Sequence, residues 1–336
     1  MENKNLWGFS EVWNASLIEK KERELRQRDN LWASELGKAP IDLWLKMKAT
    51  KPTNPPNARS LRKFEAGNVF EWIVALILKR AGILKESQRW SSYQYDGLLR
   101  VTGKADFIAG GKPNIEQWQK DIAILDLPEV FLRAGERILE YFAKNYPEGL
   151  DEMPLEIKSV SAFMFEALEK KQSSSKNHRL QVFHYLKSEN RPAANLVYIC
   201  RDDLRMMEYK ILNPSKVEDE YKEAIEKISG YFIRNEKPPL EKPIGFSEDI
   251  GKFAKNFNVA YSGYLTMLYG FKDQKEFDDK YTPTVSKWNR VVARIKEGKD
   301  MTDKNNLVLK EIEEAGFNLN EIMKNFVSRG EEVEEN

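Results

Sequence analysis

Apolar positions recur with a helical period over residues 11–47, where charges crowd Glu19 to Arg28 and Trp32, Leu36, Ile41, Leu43, Trp44 and Leu45 supply the apolar faces. Pro52, Pro55 and Pro56 cannot continue a helix and predict a loop over 51–57, flanked by Lys48, Lys51, Arg59, Arg62 and Lys63. The helical period resumes from Phe64 to Ala81, with Phe70, Trp72, Ile73, Val74, Leu76, Ile77 and Leu78, and stops at Gly82. Apolar residues on so many sides predict a helix buried on most of its surface. The period then changes to two. Gln88 to Tyr95, Leu98 to Val101 and Ala105 to Ala109, separated by Gly97, Gly103 and Gly110-Gly111, predict a meander of three short strands.

A helical insertion is predicted over 114–146, with Leu125, Val130, Leu132, Ile138, Leu139 and Phe142 on its apolar side. Beyond it come a strand at 153–160, helices at 161–171 and 179–189, strands at 195–200 and 206–211, and a long helix at 214–234. This order predicts an α/β protein with a central mixed sheet flanked by helices. Pro238, Pro239 and Pro243 mark a semi-rigid linker over 236–245. The organisation read from the pattern is a helical segment 1–63, a core 64–235, the linker, a helical region 246–328 and an acidic tail 329–336.

Composition narrows the chemistry. The 336 residues carry 54 Lys and Arg against 53 Asp and Glu, so any basic surface for a polyanion must be local. One cysteine, Cys200, excludes a disulfide framework, a four-Cys zinc site and an iron–sulfur cluster built by this chain alone. With only His178 and His184, a His-rich metal site is excluded too, which leaves oxygen ligands for any metal. No signal peptide is visible at the start, and the stretch from Trp72 to Leu78 is too short to span a bilayer. The expectation is a soluble, cytoplasmic protein without a membrane partner.

Three carboxylates stand where the pattern asks for burial: Glu71 between Phe70 and Trp72, Asp106 between Ala105 and Phe107, and Glu156 between Leu155 and Ile157. Buried acids are costly unless paired or bound to a metal; singly each reads first as a salt-bridged or edge-exposed residue, and it is three on neighbouring elements that point to a site. In Glu156-Ile157-Lys158 the strand period puts the carboxylate and the ammonium on one face. Glu-x-Lys also begins at Glu19, Glu169, Glu208 and Glu220, but only Glu156 follows a strand bearing Gly103-Lys104-Ala105-Asp106.

Taken in order, these residues resemble the motifs of the PD-(D/E)XK nuclease superfamily, in particular its RecB-like and phage-exonuclease branch. Gly67 to Glu71 resembles the helical motif, Gly103 to Asp106 the Asp-bearing strand and Glu156 to Lys158 the Glu-x-Lys strand. Gln181 to Tyr185 resembles the Gln-x-x-x-Tyr helix of that branch. The likeness covers roughly residues 30 to 212; the chain departs from it in its long insertion and in lacking the cysteines of the iron–sulfur members. The resemblance implies a restriction-endonuclease-like core and a divalent-metal-dependent DNase, with Mg2+ or Mn2+ on Asp106, Glu156, the Ile157 carbonyl and Glu71. It implies that Lys158 positions and helps deprotonate the attacking water, and that Gln181 and Tyr185 contact Lys158 or DNA.

Exonuclease action, in phage-type recombination or repair, is what the branch implies; a structure-selective or nicking endonuclease and an inactive DNA-binding scaffold are the rivals. Two basic segments are candidate phosphate rails: Arg59, Arg62 and Lys63 before the Glu71 helix, and Lys170, Lys171, Lys176 and Arg179 around Ser173 to Ser175. Without the motifs, each reads first as an ordinary solvated face. Lys287, Arg290 and Arg294 share one helical face and Trp288, Val291, Val292 and Ile295 another, which suits either a core helix or a contact with DNA or a single-strand-binding or annealing protein.

Overall fold

A computed structural model describes residues 9–18, 25–112, 129–213, 216–247 and 251–320, with Glu116, Gln119, Lys120, Ile124 and Ile322 besides. It divides into two compact units, the described parts of Met1–Thr50 with Pro56–Lys237, and of Lys51–Pro55 with Pro238–Asn336.

The first unit contains, in order, α1 (Phe9–Ile18), β1 (Asn30–Trp32), a 3-10 turn (Ala33–Glu35), α2 (Pro40–Met47), α3 (Ala58–Arg80), β2 (Leu84–Tyr93) and β3 (Arg100–Gly111). Then follow α4 (Glu129–Asn145), β4 (Leu150–Val160), α5 (Ala162–Lys171), α6 (Lys176–Glu189), β5 (Ala193–Cys200), β6 (Met206–Leu212) and α7 (Val217–Ile233). The six strands form one mixed sheet, ordered β1-β3-β4-β5-β6 with β2 also on β3. β1 with β3 and β4 with β5 are parallel, the remaining pairs antiparallel. Helix α6 lies in the larger core with Leu180, Val182, Phe183 and Leu186, against Val101, Ala105, Leu196 and Tyr198. A smaller core holds Phe107, Ile157, Val197 and Ile199 against Phe70, Val74, Ala75 and Leu78 of α3.

Local chemistry sets the ends of these helices. Asn57, following Pro55-Pro56, caps α3 by accepting from Ser60 N at 2.9 Å, and Ser161 caps α5 by accepting from Met164 N. Asn190 closes α6 in the left-handed region.

Several sequence expectations are corrected. Residues 11–47 are not all helical: Asn30–Trp32 pairs with β3, too short a strand for any periodicity to reveal. The expected meander is two long strands, because Gly103 lies inside β3 rather than at a turn. A Cβ there would stand 3.0 Å from both Ala33 Cβ and Tyr185 Cε1, so its lack of a side chain serves close packing. Helix α3 is not buried on most sides: Phe64, Val69, Trp72, Ile73 and Ile77 are exposed, and only the stripe of Phe70, Val74, Ala75 and Leu78 packs. Of the insertion, α4 is described with Leu139 buried, while Leu125 and the side chains of Val130 and Leu132 lie outside the described residues. So does the acidic tail.

The second unit is not wholly helical. It opens on a hairpin of β7 (Ile244–Ser247) and β8 (Lys252–Lys255), so strand begins inside the expected linker. α8 (Phe257–Ala260), α9 (Leu265–Tyr269), α10 (Gln274–Lys296) and α11 (Asp303–Glu314) follow. Phe253, Trp288, Val291, Val292, Val308 and Ile312 form its core. The apolar stripe of α10 is therefore internal, and on its other face Lys287 is paired with Glu311 at 2.5 Å. Asn54 joins this unit through its backbone N–H to the Gly263 carbonyl at 2.9 Å. Among the described residues no helix is long and apolar enough to cross a membrane.

Candidate active site

The acids stand at a gap in the sheet. Along one edge of β3, β1 pairs with Arg100, Val101 and Thr102, and β4 pairs with Phe107, Ile108, Ala109 and Gly111; Gly103 to Asp106 pair with neither. On the opposite edge, the pairs Ser87↔Phe107 and Arg89↔Ala105 bracket Gln88 and Asp106, which are skipped. Gln88 has φ +54, a left-handed conformation that costs a residue with a side chain about 1 kcal/mol. Asp106 thus sits where both ladders lapse.

Side chains replace the missing ladder bonds. Asp106 Oδ2 accepts from the Ile157 N–H at 2.8 Å, and Tyr185 Oη donates to the Lys104 carbonyl at 2.7 Å. Gln181 Nε2 donates to Glu156 Oε1 at 2.6 Å and to Tyr185 Oη at 2.9 Å. Lys158 Nζ donates to the same Glu156 oxygen at 2.5 Å. The helical spacing of four in Gln181 and Tyr185 therefore ties the acid of β4 to the backbone of β3. Both side chains are buried, Gln181 to 6% and Tyr185 to 1% exposure, so they brace the site from within. Gln181 meets Glu156, not Lys158 as one expectation had it.

Asp106 and Glu156 are 6% and 2% exposed. Burial, then the charge of Glu156 and that of Glu71, hold the Asp106 carboxyl well above the usual carboxylate range, against Lys158 and the Ile157 N–H. Glu71, on α3, is raised by burial and by Glu156, against Lys158. Burial works to lower the Lys158 ammonium, but Glu156, Asp106 and Glu71 outweigh it and the net shift is upward. That sign could not be read from sequence, where burial and acidic neighbours oppose one another.

The histidines are structural. His178 Nδ1 lies 2.9 Å from Tyr198 Oη and His184 Nδ1 2.8 Å from Tyr221 Oη. Burial, with the charge of Lys158, pushes His178 down to about 3; burial pushes His184 down to about 4.

Arg179 donates to the Ser174 carbonyl at 2.6 Å and, with Lys176, pairs with Glu220 of α7, at 3.5 and 3.8 Å. Arg62 donates to Asn14 and lies over the Trp13 ring. Lys63, Arg59, Lys170 and Lys171 are exposed.

The donor set suits a hard divalent cation. Glu156 Oε2 is buried with no hydrogen-bond partner among the described residues, beside a second acid whose charge is opposed by its neighbours. Among the described residues no group of three or more His, Cys, Asp or Glu is drawn together at metal-binding distances, so Glu71 acts on the pair through charge in this conformation.

No family model matches the chain, and no curated protein matches it. Among solved structures, one described as "Crystal structure of SSO0001" is similar over 69% of this chain and 89% of that one, at 15% identity and a TM-score of 0.41. A likeness so slight carries no argument about this chain.

Proposed function

We propose that the chain is a divalent-metal-dependent DNA exonuclease that hydrolyses phosphodiester bonds at Asp106, Glu156 and Lys158. The observation carrying this reading is the orphaned, buried Oε2 of Glu156 beside the charge-opposed Asp106. Burying two like charges costs several kcal/mol, and a cation ligand is the natural compensation. Asp106 and Glu156 would hold Mg2+ or Mn2+, with the Ile157 carbonyl and Glu71 as the further ligands that the motifs imply. Bound there, the cation supplies neutralisation of the anionic phosphate and acidification of water.

The chain's own residues do the positioning. Gln181 fixes Glu156 Oε1 and leaves Oε2 without a hydrogen-bond partner among the described residues. The Ile157 N–H fixes Asp106 Oδ2. Lys158 donates from Nζ to Glu156 Oε1, which sets it to orient water and to offset phosphate charge.

The test is digestion of end-labelled linear and covalently closed circular DNA with Mg2+ or Mn2+. Cleavage of linear DNA alone is expected. Equal cutting of circles would replace the exonuclease reading with an endonuclease, and binding without cleavage of either would leave a DNA-binding scaffold.

A further inference from the structure

A second feature of the sheet lies next to the acids, and its side chains take no part in holding them. Gly103 turns toward α6, where its Cβ position meets Tyr185 and His184, so the alternation of β3 sends the Lys104 side chain to the opposite face. Trp90 is the cross-strand partner of Lys104, and Trp32 that of Thr102, two positions earlier on β3; all share that face. Lys104 Nζ lies 5.9 Å from the centre of the Trp90 ring, and Trp90 meets Trp32 edge to face at 5.4 Å.

These groups are open to a ligand. Trp90 is 49% exposed, and Lys104 is exposed with no ion pair among the described residues. The adjacent cation differs: Arg89 is held by Glu86 at 2.7 Å and Glu189 at 3.5 Å. An indole face beside an unneutralised ammonium is the pairing that takes a base and its phosphate together. Lys104 is two residues from Asp106, about 7 Å along the strand.

We propose that Trp90, Trp32 and Lys104 form a subsite for an unpaired stretch of the substrate strand, Trp90 stacking on a base and Lys104 taking a phosphate. This rests on the nuclease reading. Stacking needs a base free of its partner, so the site receives single-stranded or frayed ends in preference to intact duplex.

Binding of fluorescein-labelled oligo-dT and of a blunt hairpin duplex to the full chain, in Ca2+ with Lys158→Ala throughout, tests it. Trp90→Ala should weaken oligo-dT binding by about 5- to 150-fold, the range for loss of one stacked base, with a much smaller effect on the duplex. Trp90→Phe should stay close to the parent, and Lys104→Ser should lower the log-log salt slope by about 0.7. Thermal melting of each variant identifies any that fails to fold, in which case Trp90→Phe and Lys104→Ser decide. Folded Trp90→Ala and Lys104→Ser proteins that bind oligo-dT like the parent overturn the subsite and leave the nuclease reading intact. A parent that binds neither DNA overturns both, while Trp90-dependent binding without cleavage by the wild-type chain overturns only the nuclease.

Discussion

Replacing Tyr185 with Phe removes one oxygen atom from the centre of the bracing network and leaves the ring in place. That oxygen donates to the Lys104 carbonyl at 2.7 Å and accepts from Gln181 at 2.9 Å. Gln181 retains its bond to Glu156 at 2.6 Å, so the loss falls mainly on the carbonyl, which lies in the sheet gap without a strand partner on that side. A lost bond with its acceptor left unsatisfied costs about 2 kcal/mol, within a range of roughly 1–3. For a unit of this size each kcal/mol moves the Tm by about 2–4 °C, so a fall of roughly 4–8 °C is expected. Phe keeps the packing against Gly103 and His184, so a urea titration should show a lower midpoint with an unchanged m-value. A Tm within about 1 °C of wild type would refute the view that Tyr185 closes the gap in the ladder.

Three further outcomes follow from the buried charges. Asp106→Asn keeps an oxygen for the Ile157 N–H but removes a charge opposed by Glu156 and Glu71, so it should raise the Tm in chelator. Because the Asp106 carboxyl is raised in the fold, its stabilising contribution is present below the unfolded value and lost as pH rises through the folded one; melting from pH 4 upward should show this loss shrink in Asp106→Asn. His178 is depressed from 6.5 to about 3, so the unfolded chain binds the extra proton and stability falls as pH drops below 6.5. Its share, up to about 1.4 kcal/mol per pH unit, should vanish in His178→Gln, and an unchanged slope in denaturant titrations would contradict its burial as a neutral ring. Glu35, 3% exposed, pairs with Arg28 at 2.5 Å and with Lys46, and these cations outweigh its burial to lower its pKa. Glu35→Gln should cost about 1–3 kcal/mol at neutral pH, an effect that disappears as pH falls through the lowered folded value; an equal cost throughout would argue against the ion pairs.

The mixed α/β fold was legible because each long element carries its own period: β4, α6, β5 and α7 lie within a few residues of where the pattern places them. The carboxylates were legible for a different reason, that an acid flanked by apolar neighbours contradicts its surroundings. What escaped depends on pairing between distant segments. Asn30–Trp32 has no period of its own and becomes a strand only beside Arg100 to Thr102. Gly103 reads locally as a turn, yet the Tyr185 ring excludes a side chain there. Arg179 and Lys176 look available until Glu220 arrives from α7, and the exposure of Trp72 cannot be told from its apolar neighbours without the layer that α3 covers. Trp90 and Lys104, fourteen residues apart, meet only through the register of β2 on β3.

The proposed nuclease activity requires the Glu156 carboxylate. The most direct measurement is the release of labelled nucleotides from linear DNA by wild type and by Glu156→Gln, each titrated with Mn2+ and each shown by calorimetry to be folded. Glu156→Gln retains an oxygen but loses the charge, so cleavage should fall by at least about 100-fold and calorimetric Mn2+ binding should weaken or vanish. A folded Glu156→Gln protein that cleaves at the wild-type rate, with unchanged Mn2+ affinity, would rule out Glu156 as the catalytic acid.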